Sequence, residues 1–329
     1  MQRLAIPKKK RIYAIAFAPD GRDLAAVCGD GTLRVWDTTT GQLRRTVTVP
    51  ESAVPMGLAY LAADRLLLAG MDFLTYDPAA DELTTLMAGA GYLRQLALSA
   101  DGRFVGPMDL TSGTESGGVR FVPGMTAGLT VRTESGGVRL VPGMTAGLHA
   151  PDTTHGLAFS PDGRYLASGH IVLSGTKMRS IGHGFGSFPV NDYDYVVHLR
   201  EMPSGRIVKT IDGWQQGVRF LTFSPDGSVL VGTAGPRLRA WDLTNDRELA
   251  LHKRGTKHFQ GLSFTADGRY LATVSNDETV RLWDARTWAE KTTFTWDVGR
   301  LLNIAFAPDG LRAAAGSDKG QIVVWDVEA

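Results

Sequence analysis

The sequence predicts an all-β protein built from seven repeated units, and three observations support this fold. A segment similar to Phe-Ser-Pro-Asp-Gly recurs along the chain, and a Trp-Asp pair follows many copies about 19 residues later. Adjacent Trp-Asp or Tyr-Asp positions lie 40 to 42 residues apart. A fixed period of this length is the signature of a repeat architecture in which each unit is one small sheet.

The first motif marks a hairpin turn between two apolar runs. Proline presets φ, aspartate caps its own backbone and glycine accepts the left-handed conformation, so the segment is typical of a tight turn between strands a and b. The clear copies begin at Phe17, Phe159, Phe223, Phe264 and Phe306, and weaker copies are Leu98-Ser-Ala-Asp-Gly102 and Tyr60-Leu-Ala-Ala-Asp64. Seven copies predict seven units.

The second motif ends a later strand, strand c, of each unit. Its clear copies are Trp36-Asp37, Trp241-Asp242, Trp283-Asp284 and Trp325-Asp326, and Tyr76-Asp77 is a near match.

Together these residues resemble the WD40-repeat family, and the resemblance covers nearly the whole chain. It implies a seven-bladed β-propeller of four-stranded antiparallel blades. In that family the Trp of strand c packs between blades and joins a hydrogen-bond network with an earlier Asp. Asp30 and Asp277 match this Asp, since they lie six residues before Trp36 and Trp283. The family's Gly-His pair before strand a is missing, so we expect apolar packing to hold the strands together.

The two ends of the chain are expected to meet in one blade of a single domain spanning residues 1–329. The chain ends three residues after Asp326, so the seventh blade lacks its own outer strand. In the family the N-terminus supplies this strand, and residues 3–6 are placed to do so. Such closure removes an open sheet edge.

A tandem duplication disturbs blade 3. Residues 114–129 recur as 133–148, with Phe121 replaced by Leu140. Each copy is typical of strand c, a turn and the start of strand d. Spacing favours the first copy in blade 3 and leaves the second as an extra hairpin near the connection to blade 4. The duplication either adds a binding edge or has no role, and we favour the second interpretation.

Blade 4 carries a long insert between strands b and c, over residues 173–194. Its position predicts a loop on the face with the mouth of the central channel, and long loops in compact domains are often functional. The insert serves either for partner binding or for packing over the blade. Its residue types, with nearby Trp214, are common at protein interfaces; the candidate partner-binding residues are Lys177, Arg179, His183, Phe185, Phe188, Tyr193 and Trp214.

Trp288 is a second aromatic residue with a predicted surface position. It occupies the c–d turn position that Gly41 holds in blade 1, so we expect it to be exposed on the opposite face. Either Trp214 or Trp288 could be a binding hot spot, although a local cap on the underlying strand is the more usual role.

Charge and cysteine content limit the classes of partner and the cellular compartment that we expect for this protein. The 35 Lys and Arg residues against 34 Asp and Glu residues leave a net charge of +1, so neither nucleic acid nor a membrane is an expected partner. Residues 8–11 form a basic run, most simply a solvated loop. Cys28 is the only cysteine and lies in an apolar run, so we expect it to be buried. No secretory signal or spanning segment is evident, and we predict a cytoplasmic monomer.

No motif in the sequence predicts catalysis, a cofactor or a metal site. Residues 182–186 have the wrong glycine register for a phosphate loop, and Asp192 and Asp194 alone make a poor cation site. The seven histidines are scattered, so isolated and hydrogen-bonded histidines are the simplest expectation.

The leading function is a non-catalytic protein-interaction scaffold that binds through the channel face and the blade 4 insert; the sequence does not identify the partner. Two alternatives remain: a small-ligand-binding or hydrolytic propeller that uses the central channel, and a sensor module of a signalling system. Fold alone does not decide between them.

Overall fold

The computed structural model describes residues 1–7, 10–61, 65–88, 104–105, 129–134, 137–142, 156–180, 187–202, 204–253 and 257–328. Within these ranges the secondary structure is entirely β, in 27 strands numbered along the chain from β1 (Gln2–Ala5). They form six four-stranded antiparallel sheets and one three-stranded sheet. The all-β, four-stranded architecture predicted from the repeats is confirmed. No helix in the described part is long and apolar enough to cross a membrane.

The first three sheets follow the repeats in chain order. Sheet 1 comprises β2 (Ile12–Phe17), β3 (Asp23–Cys28), β4 (Thr32–Asp37) and β5 (Leu43–Thr48). Sheet 2 comprises β6 (Gly57–Tyr60), β7 (Leu66–Ala69), β8 (Phe73–Asp77) and β9 (Glu82–Met87). Sheet 3 comprises β10 (Phe104–Val105), β11 (Leu129–Glu134) and β12 (Gly137–Pro142).

The other four sheets complete the described chain. Sheet 4 comprises β13 (Leu157–Phe159), β14 (Tyr165–Ser180), β15 (Ser187–Glu201) and β16 (Arg206–Trp214). Sheet 5 comprises β17 (Phe220–Phe223), β18 (Val229–Ala234), β19 (Arg237–Asp242) and β20 (Arg247–Lys253). Sheet 6 comprises β21 (Phe259–Phe264), β22 (Tyr270–Ser275), β23 (Thr279–Asp284) and β24 (Glu290–Thr295). Sheet 7 comprises β25 (Leu301–Phe306), β26 (Arg312–Ser317), β27 (Gln321–Asp326) and, from the other end of the chain, β1.

The Pro-Asp-Gly segments form the predicted a–b turns. In sheet 1 the N–H of Gly21 donates to the carbonyl of Ala18 at 2.8 Å, and Gly21 has φ of 70°. The Asp20 carboxylate accepts from the N–H of Arg22 at 2.9 Å. Asp162, Asp226, Asp267 and Asp309 each accept in the same way from the residue two positions later.

The Asp of the first three Trp-Asp pairs, and that of Tyr76-Asp77, caps the c–d turn, a role that the sequence did not reveal. Asp37 accepts from the N–H groups of Thr39 and Thr40 at 2.8 and 2.7 Å. The bond from Thr40 is the main factor that lowers the pKa of the Asp37 carboxyl to about 2. Asp77, Asp242 and Asp284 accept from their following turns in the same way, whereas Asp326 lies exposed near the end of the chain.

The hydrophobic core is divided into clusters that lie between neighbouring sheets. Trp36 packs in a cluster shared by sheets 7 and 1, Trp283 in one shared by sheets 5 and 6, and Trp325 in one shared by sheets 6 and 7. Trp241 packs at the edge of the cluster between sheets 4 and 5. The predicted packing of the strand c tryptophan between units is therefore confirmed for these four residues.

The polar network around these tryptophans differs from the family pattern. Trp283 Nε1 donates to Thr273 Oγ1 at 3.0 Å. Asp30 accepts instead from Thr32 Oγ1 at 2.6 Å and from Arg34 Nη2 at 2.9 Å. Asp277 accepts likewise from Thr279 and Arg281. From the missing Gly-His pair we expected apolar packing alone to hold the strands together. This expectation is wrong for these sheets, because Thr and Arg side chains donate hydrogen bonds to the Asp carboxylate.

Strand β1 pairs antiparallel with β27, from Gln2 opposite Val324 to Ala5 opposite Gln321. The prediction that the N-terminus supplies the outer strand of the last unit is confirmed. Two further bonds join sheets 7 and 1: Arg312 Nη1 donates to Thr38 Oγ1 at 2.8 Å, and Asn303 Nδ2 donates to the Ile12 carbonyl at 2.8 Å.

Part of the duplicated segment lies in the three-stranded sheet, sheet 3. Strand β10 pairs with β11, which begins at the last residue of the first copy, and β11 pairs with β12 inside the second copy. The described hairpin thus comes from the junction and the second copy, whereas spacing favoured the first. Nearly identical strands can exchange register in this way. Residues 114–128 of the first copy, and the weak repeat at residues 98–102, lie outside the described residues.

Two further sequence predictions can be compared with the structure. Cys28 is buried as predicted, and burial raises the pKa of its thiol to about 11. Trp288 was predicted to be exposed, but it is only 6% exposed and belongs to the same core cluster as Trp283. This prediction is wrong because Trp288 has φ of 58° in its turn and joins the core cluster instead of replacing a glycine at the surface.

Candidate partner-binding site

The insert of sheet 4 is a β-hairpin and not the predicted loop. Strands β14 and β15 pair continuously from Tyr165 opposite Glu201 to Ser180 opposite Ser187, with one irregularity between Leu173 and Gly175. Pairing satisfies backbone groups that a loop would leave to water, and the apolar and aromatic residues along both strands favour it. Glycine-rich composition concealed this alternation in the sequence.

We call residues 171–180 and 187–194 of this hairpin the arm. Strand β13 pairs with β14 only from Leu166 to Ser168, and β16 pairs with β15 only as far as Tyr195 opposite Trp214. No other described strand pairs with the arm. At about 3.3 Å per residue, its ten residues on β14 extend roughly 30 Å beyond the sheet.

The structure distributes the predicted insert residues along the arm. Lys177 lies opposite Val190 and Arg179 opposite Phe188 in the backbone register. Tyr193 is half-buried at the base of the arm. The positions of the Lys177, Arg179 and Phe188 side chains, and residues His183 and Phe185, lie outside the described part, so their role in partner binding stays a prediction.

Trp214 lies at the base of the arm but is not the exposed aromatic residue that the sequence suggested. It ends β16, is only 8% exposed and packs in the cluster between sheets 4 and 5. A Cβ atom at Gly232 would lie 2.7 Å from Cη2 of the indole, so the glycine leaves room for the ring. The prediction of an exposed Trp214 is wrong because the ring packs into the space that Gly232 leaves free in the next sheet.

Arg239 joins sheets 4 and 5 beside Trp214. Its guanidinium lies 4.7 Å from the centre of the Trp214 ring and 5.5 Å from that of Trp241. Arg239 Nε donates to Glu248 Oε2 at 2.6 Å, and Nη1 donates to the Asp212 carbonyl at 2.7 Å. Sequence reasoning missed this residue, although its position two residues before Trp241 matches that of Arg34 and Arg281.

A second polar contact crosses the same boundary. Trp241 Nε1 donates to Asp246 Oδ1 at 3.1 Å, and Lys209 of β16 forms an ion pair with Asp246. Hydrogen bonding from Lys209 is the main cause that lowers the pKa of Asp246. The two contacts fix the outer strand of sheet 4 against sheet 5.

A cavity of about 120 Å³ opens beside these residues. It lies between the end of β16 and the b–c turn of sheet 5, next to the base of the arm, and is lined by Trp214, Arg237, Arg239, Glu248 and Leu251 among others. Trp214 Nε1 is buried and has no hydrogen-bond partner. Within the described residues, the Arg237 guanidinium has neither a hydrogen bond nor an ion pair.

Sheet 4 also contains a histidine pair, in which His170 is buried and His198 is half-buried. His170 Nε2 lies 2.7 Å from Ser168 Oγ, and the rings of His170 and His198 are 4.8 Å apart. Burial lowers the pKa of His170 to about 3 and that of His198 to about 4, with Arg200 contributing to both. Both imidazoles are thus neutral near pH 7. The expectation of isolated histidines is wrong for this pair. The sequence could have indicated the contact, because His170 and His198 lie on two neighbouring strands, β14 and β15.

Arg200 occupies the Trp position of this sheet and donates from Nη1 to the Gly205 carbonyl at 3.0 Å. Among the described residues, no group of three His, Cys, Asp or Glu side chains lies close enough to hold a metal ion.

Comparison with known proteins identifies similar repeats. Four stretches match the family described as WD domain, G-beta repeat: residues 4–37, 205–242, 249–284 and 291–326. Each matched stretch ends at the Asp that caps a c–d turn or, in the last, at Asp326.

Several curated proteins match part of the chain. It is 24% identical over 177 residues to the target of rapamycin complex subunit wat1 of Schizosaccharomyces pombe, covering 40% of this chain and 56% of that protein. It is 25% identical over 139 residues to the target of rapamycin complex subunit LST8 of Mus musculus, covering 41% and 43%. It is 31% identical over 108 residues to transcription initiation factor TFIID subunit 5 of Caenorhabditis elegans, covering 32% and 16%. The chain spans about half the length of the first two proteins.

Proposed function

Because the chain is a WD40-repeat protein, we propose that it is a non-catalytic scaffold that binds a protein partner on the face from which the arm projects. The names of its relatives describe subunits of protein complexes, which agrees with a scaffold role. The observation that carries the proposal is the arm, a paired ribbon that leaves the sheet and has no neighbouring strand in the described structure.

The free edges of the arm support a specific mode of binding. Beyond Tyr195, strand β15 has backbone N–H and C=O groups facing the position that β16 has left. An extended segment of a partner can add to such an edge, where main-chain hydrogen bonds provide affinity and alternate side chains provide specificity. The partner strand would continue the line of β16 away from Trp214.

We propose that the sheets form seven blades of a closed ring. In support, the first strands contact one another between sheets 1 and 2, 4 and 5, 5 and 6, and 6 and 7, and β2 of sheet 1 contacts β25 of sheet 7. Pairing of β1 with β27 and the Arg312 bond to sheet 1 further support the closure. A monomer in the cytoplasm, without a nucleic-acid or membrane partner, remains a prediction.

The arm can be removed without disturbing the sheet beneath it. Replacing residues 173–193 by Asn-Gly joins Val172 to Asp194, which are opposite each other, through a two-residue hairpin turn. Affinity capture from the native lysate with quantitative mass spectrometry should then lose the partner retained by the full chain. Arg286→Ala, on the opposite end of the strands, should retain it.

Circular dichroism must show the same thermal midpoint in the arm variant within a few degrees. Capture of the same proteins in the same amounts by both chains would contradict the proposed role of the arm.

A further inference from the structure

The cavity beside the arm has an unbalanced set of hydrogen-bond donors. Arg239 is already occupied by the Glu248 carboxylate at 2.6 Å and the Asp212 carbonyl at 2.7 Å. Arg237, which is half-buried and has no hydrogen-bond acceptor within the described structure, also lines the cavity. Trp214 lines it as well, and its Nε1 is buried without a partner. A carboxylate in the cavity would give Arg237 the acceptor that it lacks, and such charge-assisted hydrogen bonds are stronger than those between neutral groups.

The charge and size of the cavity limit the ligand. The guanidinium groups of Arg237 and Arg239 and the carboxylate of Glu248 give the cavity a net charge of one positive unit. The single negative charge of a ligand carboxylate would balance it. The volume of about 120 Å³ has room for several water molecules or for one side chain. A phosphoryl group carries up to two negative charges and would face the Glu248 carboxylate.

The rim of the cavity adds an apolar contact. Leu251 lines it and is 51% exposed. An apolar residue next to an acidic one would cover this side chain. Asp194 is exposed at the base of the arm and disfavours further negative charge in the segment that runs along it.

We propose that this cavity binds the carboxylate of a single Asp or Glu residue in an extended partner segment. Arg237 would donate to the carboxylate beside the Trp214 indole, and Leu251 would contact the neighbouring apolar residue. The inference rests on the proposed partner-binding function and specifies the chemistry of the partner. The position fits a strand added to the arm, because Trp214 lies opposite Tyr195, where the free edge of β15 begins.

The indole N–H signals of the seven tryptophans allow a direct test. In a ¹H–¹⁵N spectrum, Trp214→Phe identifies the Trp214 Nε1–H signal by its loss. The probe is a short acetylated and amidated peptide with one glutamate followed by leucine among threonines and valines. Adding this peptide should shift the Trp214 signal to saturation, whereas the peptide with glutamine in place of glutamate should leave it unchanged.

Arg237→Met should weaken peptide binding by at least about tenfold, the loss of one charge-assisted hydrogen bond. Arg286→Met, at the other end of the strands, should bind as the native chain does. An unmoved Trp214 signal, equal binding of the glutamine peptide, or unchanged affinity in Arg237→Met would overturn the proposal. Tighter binding of a phosphoserine peptide would overturn the carboxylate assignment.

The outcomes separate this inference from the scaffold function. If replacement of the arm abolishes partner capture while the peptide leaves Trp214 unmoved, the scaffold function stands and the carboxylate site is wrong. If the peptide shifts Trp214 while capture is unchanged without the arm, the carboxylate site stands and the role of the arm is wrong.

Discussion

The guanidinium of Arg239 lies 4.7 Å from the centre of the Trp214 ring, across the boundary between two sheets. The same side chain donates to Glu248 and to the Asp212 carbonyl. One residue of sheet 5 therefore fixes the end of sheet 4 from which the arm begins.

Replacing Arg239 should weaken this boundary. Arg239→Met removes a stacked cation and leaves Glu248 without its partner, so we expect the free energy of unfolding to fall by about 2 to 3 kcal/mol. Urea unfolding at neutral pH measures this change. The control is Arg247→Met, because Arg247 forms only an exposed ion pair with Asp242, for which we expect less than about 1 kcal/mol. Equal losses in the two variants would show that Arg239 is an ordinary surface residue.

Removing β1 should destabilise the whole protein. Deletion of residues 2–7 eliminates the pairing with β27 and the burial of Leu4 and Ile6, so the thermal midpoint should fall by roughly 10 °C or more. Leu4→Ala combined with Ile6→Ala keeps the pairing and should produce a smaller fall. Arg3→Ala, which removes one exposed bond to the Trp296 carbonyl, should change little. A midpoint unaffected by the deletion refutes closure by the N-terminal strand.

A double-mutant cycle can measure the coupling energy between the buried residues Asp30 and Arg34. Asp30→Ala leaves the Arg34 charge almost fully buried without its partner, so we expect a loss of about 3 kcal/mol or more. The double variant with Arg34→Met should be more stable than Asp30→Ala alone, because the uncompensated charge is gone. Urea unfolding of the four chains provides the coupling energy. Simple addition of the two single effects would indicate that the carboxylate and guanidinium do not depend on each other.

The buried histidine pair predicts a loss of stability in weak acid. The pKa of His170 is about 3 in the folded protein, far below that of the unfolded chain near 6.5. Stability from the neutral imidazole is therefore complete above about pH 6.5 and declines as the pH falls, because only the unfolded chain takes up the proton. From pH 7 to pH 5 this histidine should account for about 2 kcal/mol.

His170→Gln tests this assignment, since glutamine stays neutral throughout. Urea unfolding at the two pH values should give a smaller decrease for the variant than for the native chain. His258→Gln serves as the comparison, because His258 lies outside this buried pair in sheet 4. An equal decrease in His170→Gln and the native chain would assign the acid sensitivity to other groups.

The strands and turns could be predicted well from the sequence because their determinants are local. Pro-Asp-Gly segments specify the a–b turns, and the spacing of Trp36, Trp241, Trp283 and Trp325 follows the sheets that contain them. The pairing of β1 with β27 was predictable as well, since the last repeat lacks an outer strand.

The candidate site was harder to predict because it depends on contacts between distant residues. Trp214 was expected at the surface, but its burial depends on Gly232 and Arg239, which belong to the next sheet. The arm was expected to be a loop, since glycines obscured the pairing of its two halves. No local pattern in the sequence indicates that Arg237 and Trp214 line one cavity.

The arm also affects the solubility of the protein. Two strand edges that have no neighbour among the described strands would pair readily with a second copy of the same chain, and such pairing leads to aggregation as concentration rises. Three features oppose it: the irregularity between Leu173 and Gly175, the missing N–H of Pro189, and the exposed charge of Asp194, which would meet its own equivalent. A strand of a different protein that avoids these interruptions can still pair with the arm. The arm therefore disfavours self-association but remains able to bind a partner strand.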